Sequence, residues 1–343
     1  MVQINGNGEQ QLAPKPWPVN IPASPVTPDL SICIVNWNCC DYLQSLLTSI
    51  RVTGFELVVE VIVVDNASTD DSASMVEAEF PEVQLVRNTS HQGISKANNQ
   101  AAGRARAPLL FFLNNDTRIQ AGTLTWLVRF VDEHPDVAVV APRLISPGGK
   151  SARSTRGTLS FRALLHRVSF LRWTRLFRSA DRSYRQVNRD LKRSGYVEQV
   201  VGAALLVRRQ DFVNIGGWDE KFEFHMEELD LTLRLGRVGR IYYLAEAEVV
   251  HWGGVATRLD QTYAYRSSEC SYIHFIRKYY GAARARIYKV LITADMPLRV
   301  IILFLTWLIK RLFSSRERAA RNYSKLIAAR NFLIRGLLQY WRC

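Results

Sequence analysis

Cysteine is scarce in this chain and poorly placed for chemistry. The five residues are Cys33, Cys39, Cys40, Cys270 and Cys343. Their number is odd, and no two have the spacing of a metal-binding motif. A cysteine-built metal site is therefore excluded, and the thiols read as those of a reducing, cytosolic compartment. Cys33, inside an apolar strand pattern, reads as a small hydrophobe. A membrane-length hydrophobic run is also missing. The apolar stretch Val300–Ile309 (VIILFLTWLI) is half the roughly 20 residues that cross a bilayer. Its upstream extension meets Pro297 and Asp295. The N-terminus has no apolar h-region, so no signal peptide is expected. No internal repeat is visible.

Acidic residues are nearly absent from two stretches. Lys150–Arg193 holds thirteen Lys and Arg against two acids, and Arg277–Cys343 holds fifteen against two. The whole chain carries a formal charge of +14, so the rest of it is acidic. Basic segments on an acidic body suit phosphates, as nucleic acid or an anionic membrane surface. A nucleic-acid-binding protein would place basic and stacking residues on the body itself, so no nucleic acid is expected as a partner.

What is present is an alternation of buried strands and helices. Met1–Asp29, with six prolines and no period, reads as a disordered tail. Leu30–Asn36, Leu57–Asp65, Val83–Arg87 and Leu109–Leu113 read as strands. Helices are expected over Asp41–Arg51, Ser72–Phe80, Ile94–Arg106 and Gly122–His134. This order predicts an α/β fold with a mostly parallel, doubly wound sheet. Strands are expected again at Val137–Ala141, Val197–Val207, Ile241–Leu244 and Glu248–His251. A helix is expected over Glu227–Gly239, closed by a glycine cap.

Several strand ends carry polar groups, and ligands of such sheets sit beyond the carboxyl ends of the strands. Leu109–Asp116 (LLFFLNND) ends in Asn114, Asn115 and Asp116. Asp116 could hold a hard cation against a phosphate; the plainer reading is a polar turn. Asp65 could accept hydrogen bonds from a base or ribose, or belong to the cap of the next helix. Asn88–Gly103 is rich in small and amide residues, with His91 and Lys96 able to offer charge. On the helix after Met226, Asp230 and Arg234 stand one turn apart, as a structural ion pair. Glu228 lies about 100° around the helix from Glu227, freer to act as a general base. His251 closes a strand and could be a second metal ligand beside Asp116. Two carboxylates adjacent on one helix cannot flank a glycosidic bond, which argues against a glycosidase.

Together these pieces resemble the family-2 glycosyltransferases of the GT-A fold. The resemblance rests on Ile34–Asn38, Val63–Asp70, Asn88 with Gly93 and Asn98, Phe112–Asp116, Gly216–Glu220, Glu227–Leu231 with Arg234, and Val250-His251. Within that family it looks most like bacterial rhamnosyltransferases of surface polysaccharide synthesis. It implies a GT-A nucleotide-diphospho-sugar transferase fold that inverts the sugar centre. The donor would be a nucleotide-diphosphate sugar, the acceptor a glycan or lipid-linked hydroxyl, and the cofactor Mg²⁺ or Mn²⁺. It assigns donor binding to Asn36, Asp65, Asn88, Gly93, Asn98 and Asn115, metal to Asp116 and His251, and the base to Glu228 or Glu227. The expected layout is a tail over 1–29, a catalytic domain over 30–276 with a basic insertion at 150–195, and basic amphipathic helices over 277–343. These last are expected to lie on the inner face of the plasma membrane, as a peripheral anchor, or to pack on the catalytic domain with their charges solvated.

Overall fold

The computed structural model describes residues 27–53 and 56–343. The tail expected over 1–29 lies outside the described residues, except for its last three. Among the described residues eleven strands follow in chain order: β1 (Leu30–Asn36), β2 (Val59–Asp65), β3 (Gln84–Arg87), β4 (Leu109–Asn114), β5 (Thr117–Ile119), β6 (Val137–Ile145), β7 (Thr155–Arg156), β8 (Gly195–Tyr196), β9 (Gln199–Val200), β10 (Ala204–Arg208) and β11 (Arg240–His251). The main sheet runs β3-β2-β1-β4-β10-β6-β11-β5, with β8 against β11. β3, β2, β1 and β4 are parallel. β10 enters antiparallel to both β4 and β6, and β6 pairs β11 in parallel.

The topology brings distant segments to one edge. Asn36 faces Asp65 across β1 and β2, and Val35 faces Asn114 across β1 and β4. Because β10 runs the other way, its amino end reaches that same edge, where Asn114 N donates to Ala203 O. His251, ending β11, faces Thr117 of β5. Apolar residues on alternating sides of the strands feed two cores, one on each sheet face. One holds Ile32, Ile34 and Phe111 with helix residues Leu43, Leu46 and Leu127. The other holds Cys33, Ile62 and Phe112 with Ala97, Ala101 and Trp218. The alanines let the helix Ile94–Arg104 sit close on the sheet.

Five expectations change. The strand expected over Val197–Val207 is two: β9 pairs β7 in a small separate sheet, and β10 joins the main sheet after a turn at Gly202-Ala203. Ile241–Leu244 and Glu248–His251 belong to one strand, β11, with a register shift between Leu244 and Glu248 and another at its start, between Arg240 and Ile241. The helix at Glu227 ends at Leu235, and Gly236 after it is right-handed. Gly239 is small for another reason: a Cβ there would meet Asp136 O at 2.8 Å. The helix Ala282–Phe313 runs without a break through Asp295 and Pro297. Proline removes one backbone donor, and Pro297 sits on the exposed side, where water can satisfy the carbonyl left over. Finally, Cys270 and Cys343 are joined as a disulfide, while Cys33, Cys39 and Cys40 are free. Seventy-three residues separate the two half-cystines, so sequence spacing gave no sign of the pair.

A third core joins the basic insertion to the C-terminal helices. Leu164 and Val168 pack with Ile276, Tyr288, Ile292, Met296 and Phe332. The helix Gln261–Tyr280 runs straight through the expected boundary at residue 276. Met226 and Leu229, around the start of the acidic helix, belong to this same core.

Candidate active site

A cavity of about 250 Å³ opens at the sheet edge described above. Six of the ten residues to which the resemblance assigns a role line it: Asn98, Asn115, Asp116, Glu227, Glu228 and His251. Asn36, Asp65, Asn88 and Gly93 stand behind that lining. Asn115 Nδ2 donates to Asn36 Oδ1 at 2.8 Å. Asn36 Nδ2 in turn reaches Asp65 Oδ1 at 3.4 Å and Ser68 Oγ at 3.3 Å. Asp65 Oδ2 accepts from Ser68 N at 3.1 Å, so it does hold the turn before the helix Ser72–Glu79. Asn88 donates to Asn66 Oδ1 and exchanges hydrogen bonds with Gln100; Asn66 lines the cavity. Gly93 is left-handed, with φ +77°, and a Cβ there would press on Glu223 Cα at 3.2 Å. The opening of the helix Ile94–Arg104 is thereby set against the Glu223 backbone, whose carbonyl accepts from Ile94 N.

Asp116 is almost fully buried. Its Oδ1 lies 3.2 Å from Nε2 of His251, and its backbone carbonyl accepts from Trp252 N. Gly253 and Gly254 are both left-handed, which turns the chain after His251 back over Asp116. Asp116 and His251 form an oxygen-plus-imidazole pair at the cavity wall. Among the described residues no group of three or more His, Cys, Asp or Glu gathers to hold a metal. The pair fits a cation that takes its remaining ligands from a bound diphosphate and water, the usual mode for Mg²⁺ and one open to Mn²⁺.

Glu227 and Glu228 begin the helix Glu227–Leu235. They follow His225 and Met226, which both have positive φ, at 63° and 71°. Two consecutive non-glycine residues in that region are strained by about 1–3 kcal/mol each, and strain of this kind gathers at functional sites. The Oε2 atoms of both glutamates are enclosed and have no hydrogen-bond partner. Burial, followed by the charge of Glu228, raises the Glu227 carboxyl well above the usual carboxylate range. Burial also raises Glu228, opposed by backbone N–H groups of the helix start and by Arg156. The helix N-terminus thus favours the anion, and of the two carboxyls only Glu228 also has a cation, Arg156, lowering it. Asp230 is a structural residue, as expected: Arg234 Nε donates to it at 2.7 Å, and Lys278 and Tyr279 also reach it.

Gly202, Trp37 and Tyr263 line the cavity and were given no role from the sequence. Gly202 lies so close to Glu228 that a Cβ would stand 2.7 Å from Glu228 Cβ. The small run Gly202-Ala203-Ala204 between apolar neighbours was the available signal. Trp37, His91 and Tyr263 form an aromatic wall, with ring centroids of 4.9 Å for Trp37–His91 and His91–Tyr263. Burial lowers the pKa of His91, against the pull of Glu223, and its Nδ1 accepts from Gly93 N. Lys96 is exposed and outside the cavity lining.

Residues 31–191 match the model of Glycosyl transferase family 2. The chain carries a family 2 glycosyl transferase domain. It is 28% identical over 248 residues to the N-acetylglucosaminyl-diphospho-decaprenol L-rhamnosyltransferase of Mycobacterium tuberculosis, covering 68% of this chain and 80% of that one. It is 26% identical to the O-antigen biosynthesis protein RfbC of Myxococcus xanthus, over 68% of this chain and 18% of that one. A crystal structure of GalNAc-T7 with UDP, GalNAc and Mn²⁺ superimposes with a TM-score of 0.50 at 14% identity, over 66% of this chain and 43% of that chain. At that identity the likeness is one of fold. The mixed sheet accordingly has the GT-A fold.

Proposed function

We propose that this glycosyltransferase moves a hexosyl group, rhamnose being the sugar favoured by its relatives, from a nucleotide-diphosphate sugar to a hydroxyl of a lipid-linked or polysaccharide acceptor, inverting the anomeric centre. The observation that carries the reading is that Glu228 and the Asp116–His251 pair line one cavity. A donor diphosphate at Asp116 leaves its sugar facing the glutamates. Glu228 takes the acceptor proton as the acceptor oxygen bonds to C1. The bond from C1 to the diphosphate oxygen breaks, and the nucleoside diphosphate departs. One carboxylate acting in one displacement inverts the centre. The transition state has oxocarbenium character, as in inverting sugar hydrolysis.

Asp116 and His251 would hold a divalent metal, Mg²⁺ or Mn²⁺, which when bound neutralises charge on the departing diphosphate. Asn115 and Asn98 would contact the donor directly. Asn36, Asp65 and Asn88 would position the lining that receives its nucleoside, with Gly93 fixing the helix behind it. The lipid-linked acceptor is supported by the decaprenol-linked substrate named for the mycobacterial relative. A cytosolic setting is supported by the free Cys33, Cys39 and Cys40 and opposed by the Cys270–Cys343 bond.

The test is a thermal-shift panel of UDP-, dTDP- and GDP-sugars with Mn²⁺ on the full chain. Release of nucleoside diphosphate is then measured with a lipid-linked N-acetylglucosaminyl diphosphate. One donor should raise Tm and be turned over. A panel in which no donor shifts Tm would overturn the reading.

A further inference from the structure

The helix Ala282–Phe313 packs on the third core by one side only. Tyr288, Ile292 and Met296 are fully buried there. Its charged residues on that side are all tied inward. Lys289 Nζ donates to Trp341 O. Asp295 accepts from Ser169 N and Oγ, each at 2.9 Å, and from Arg299. Arg299 also donates to Tyr265 OH and to Arg167 O.

The opposite side is exposed and apolar from Ile287 to Ile309. Ile287, Val290, Ala294, Pro297, Ile301, Phe304, Leu305, Leu308, Ile309 and Leu312 recur every three or four residues, the spacing of one helix face. Leu305 is 51% exposed, Ile309 59% and Leu312 66%. At 1.5 Å per residue the stripe is about 37 Å long, beyond the isolated apolar residues an ordinary surface carries. Both of its ends are basic: exposed Arg284 and Arg286 at one, exposed Arg311, Arg316 and Arg318 at the other. The Ser169 contacts with Asp295 hold the short helix Ser169–Trp173 against the packed side of the long helix. That helix and the turn after it expose Phe170, Trp173 and Leu176 among Arg172, Arg175 and Arg178.

We infer that this face is a docking surface for an anionic phospholipid bilayer, with the helix lying along the interface. An apolar stripe between cationic ends matches acyl chains below and acidic headgroups around it. The helix is long enough to cross a membrane, and apolar enough over part of its length. Crossing would strip Asp295 from Ser169 and carry the Lys310–Arg318 turn, with its four basic groups, through hydrocarbon. Lying flat costs neither. The inference is independent of the transfer reaction, since none of these residues lines the catalytic cavity.

The test is sedimentation of the full chain with vesicles of phosphatidylcholine alone or mixed with phosphatidylglycerol. Binding should be about tenfold tighter or more to the mixed vesicles and should weaken with salt. The triple variant F304S/L308S/L312S should bind about a hundredfold more weakly while keeping the wild-type circular dichroism spectrum and donor-induced Tm shift. A second variant, R311E/R316E, should lose the preference for anionic vesicles without touching an apolar residue. Equal partition onto both vesicle types would overturn the proposal. So would retention after carbonate extraction, which would mean a spanning helix. Light scattering that shows a dimer, together with no vesicle binding, would assign the stripe to a second copy instead. The donor-induced Tm shift is read without vesicles, so failure here leaves the active-site reading standing, and the reverse holds.

Discussion

Nε2 of His251, at the end of one strand, stands 3.2 Å from Oδ1 of Asp116, just past the end of another. The two are joined by the antiparallel pairing of β11 with β5, which sets His251 opposite Thr117. If this pair grips the donor diphosphate through a divalent ion, Asp116 is the charged ligand and His251 the neutral one. D116N keeps the volume and removes the anion. It should cut transfer by about 10²-fold or more, with little change in Tm. H251A should be milder and should be partly rescued by higher Mn²⁺. Rates measured across a Mn²⁺ titration check both. Full activity of D116N in excess EDTA would refute metal dependence.

Gly202 offers a test of geometry that touches no charge. A methyl group there would meet Glu228 Cβ at 2.7 Å, closer than packed carbons allow, so one of the two must move. The cost of overpacking is about 1–3 kcal/mol. G202A should therefore lower kcat by about tenfold or more while leaving donor KM near wild type, because the donor end of the cavity is built from other elements. Steady-state kinetics with varied donor give the split. An unchanged kcat would mean that Glu228 tolerates displacement and does not sit at the reacting atoms.

The contrast between Asp116 and Gly202 shows what the linear chain could reveal. The run Leu109–Leu113 with its polar end announces a buried strand opening onto a ligand edge, because strand period and polar punctuation are local properties. The same holds for Asp65 and for the helix bearing Glu227 and Glu228. Gly202 is required by an approach between two chain segments, and the aromatic wall of Trp37, His91 and Tyr263 assembles from three. Nothing within a window of either sequence states such a meeting. The antiparallel entry of β10 and the Cys270–Cys343 pair are long-range in the same way. Pro297 misled for the opposite reason: a local rule against proline in helices gave way to the packing of a 32-residue helix against a core.

Asp295 is the polar residue on which the insertion and the C-terminal helices meet. It is fully buried and accepts three hydrogen bonds, from Ser169 N, Ser169 Oγ and Arg299. D295A would leave Arg299 facing Arg167 with only Glu269, 3.6 Å away, as an opposing charge. Removing one partner of a buried ion pair costs about 3–5 kcal/mol. Urea unfolding of D295A should show a loss of that order, and limited proteolysis should open the insertion around Ser169 first. A loss below about 1 kcal/mol would mean that the network is solvated and does not join the two segments.

The glutamate pair makes the most exacting prediction, because the two side chains are adjacent and their environments differ. Burial raises both carboxyls, and the charge of Glu228 raises Glu227 further. The pair titrates jointly, and Arg156 favours the negative charge on Glu228. Gln mimics a protonated Glu. E227Q should then retain most of the wild-type kcat, whereas E228Q should lose about 10²-fold or more. The kcat of the wild type should rise with pH, since the base works ionised, and its midpoint should lie above the ordinary carboxylate value of about 4.3. The same shifts govern stability. Between the ordinary pKa and the raised native one, the folded chain holds protons that the unfolded chain has released. Stability therefore falls as pH rises through that window. E227Q removes one such group, so it should raise Tm more at pH 8 than at pH 5, by about 2 °C or more at the higher pH. Thermal melts of both variants across pH, beside their kcat profiles, decide the matter. A large kcat loss in E227Q with little in E228Q would exchange the two roles, and equal losses of donor-induced Tm shift in both would make the pair part of the donor site rather than the base.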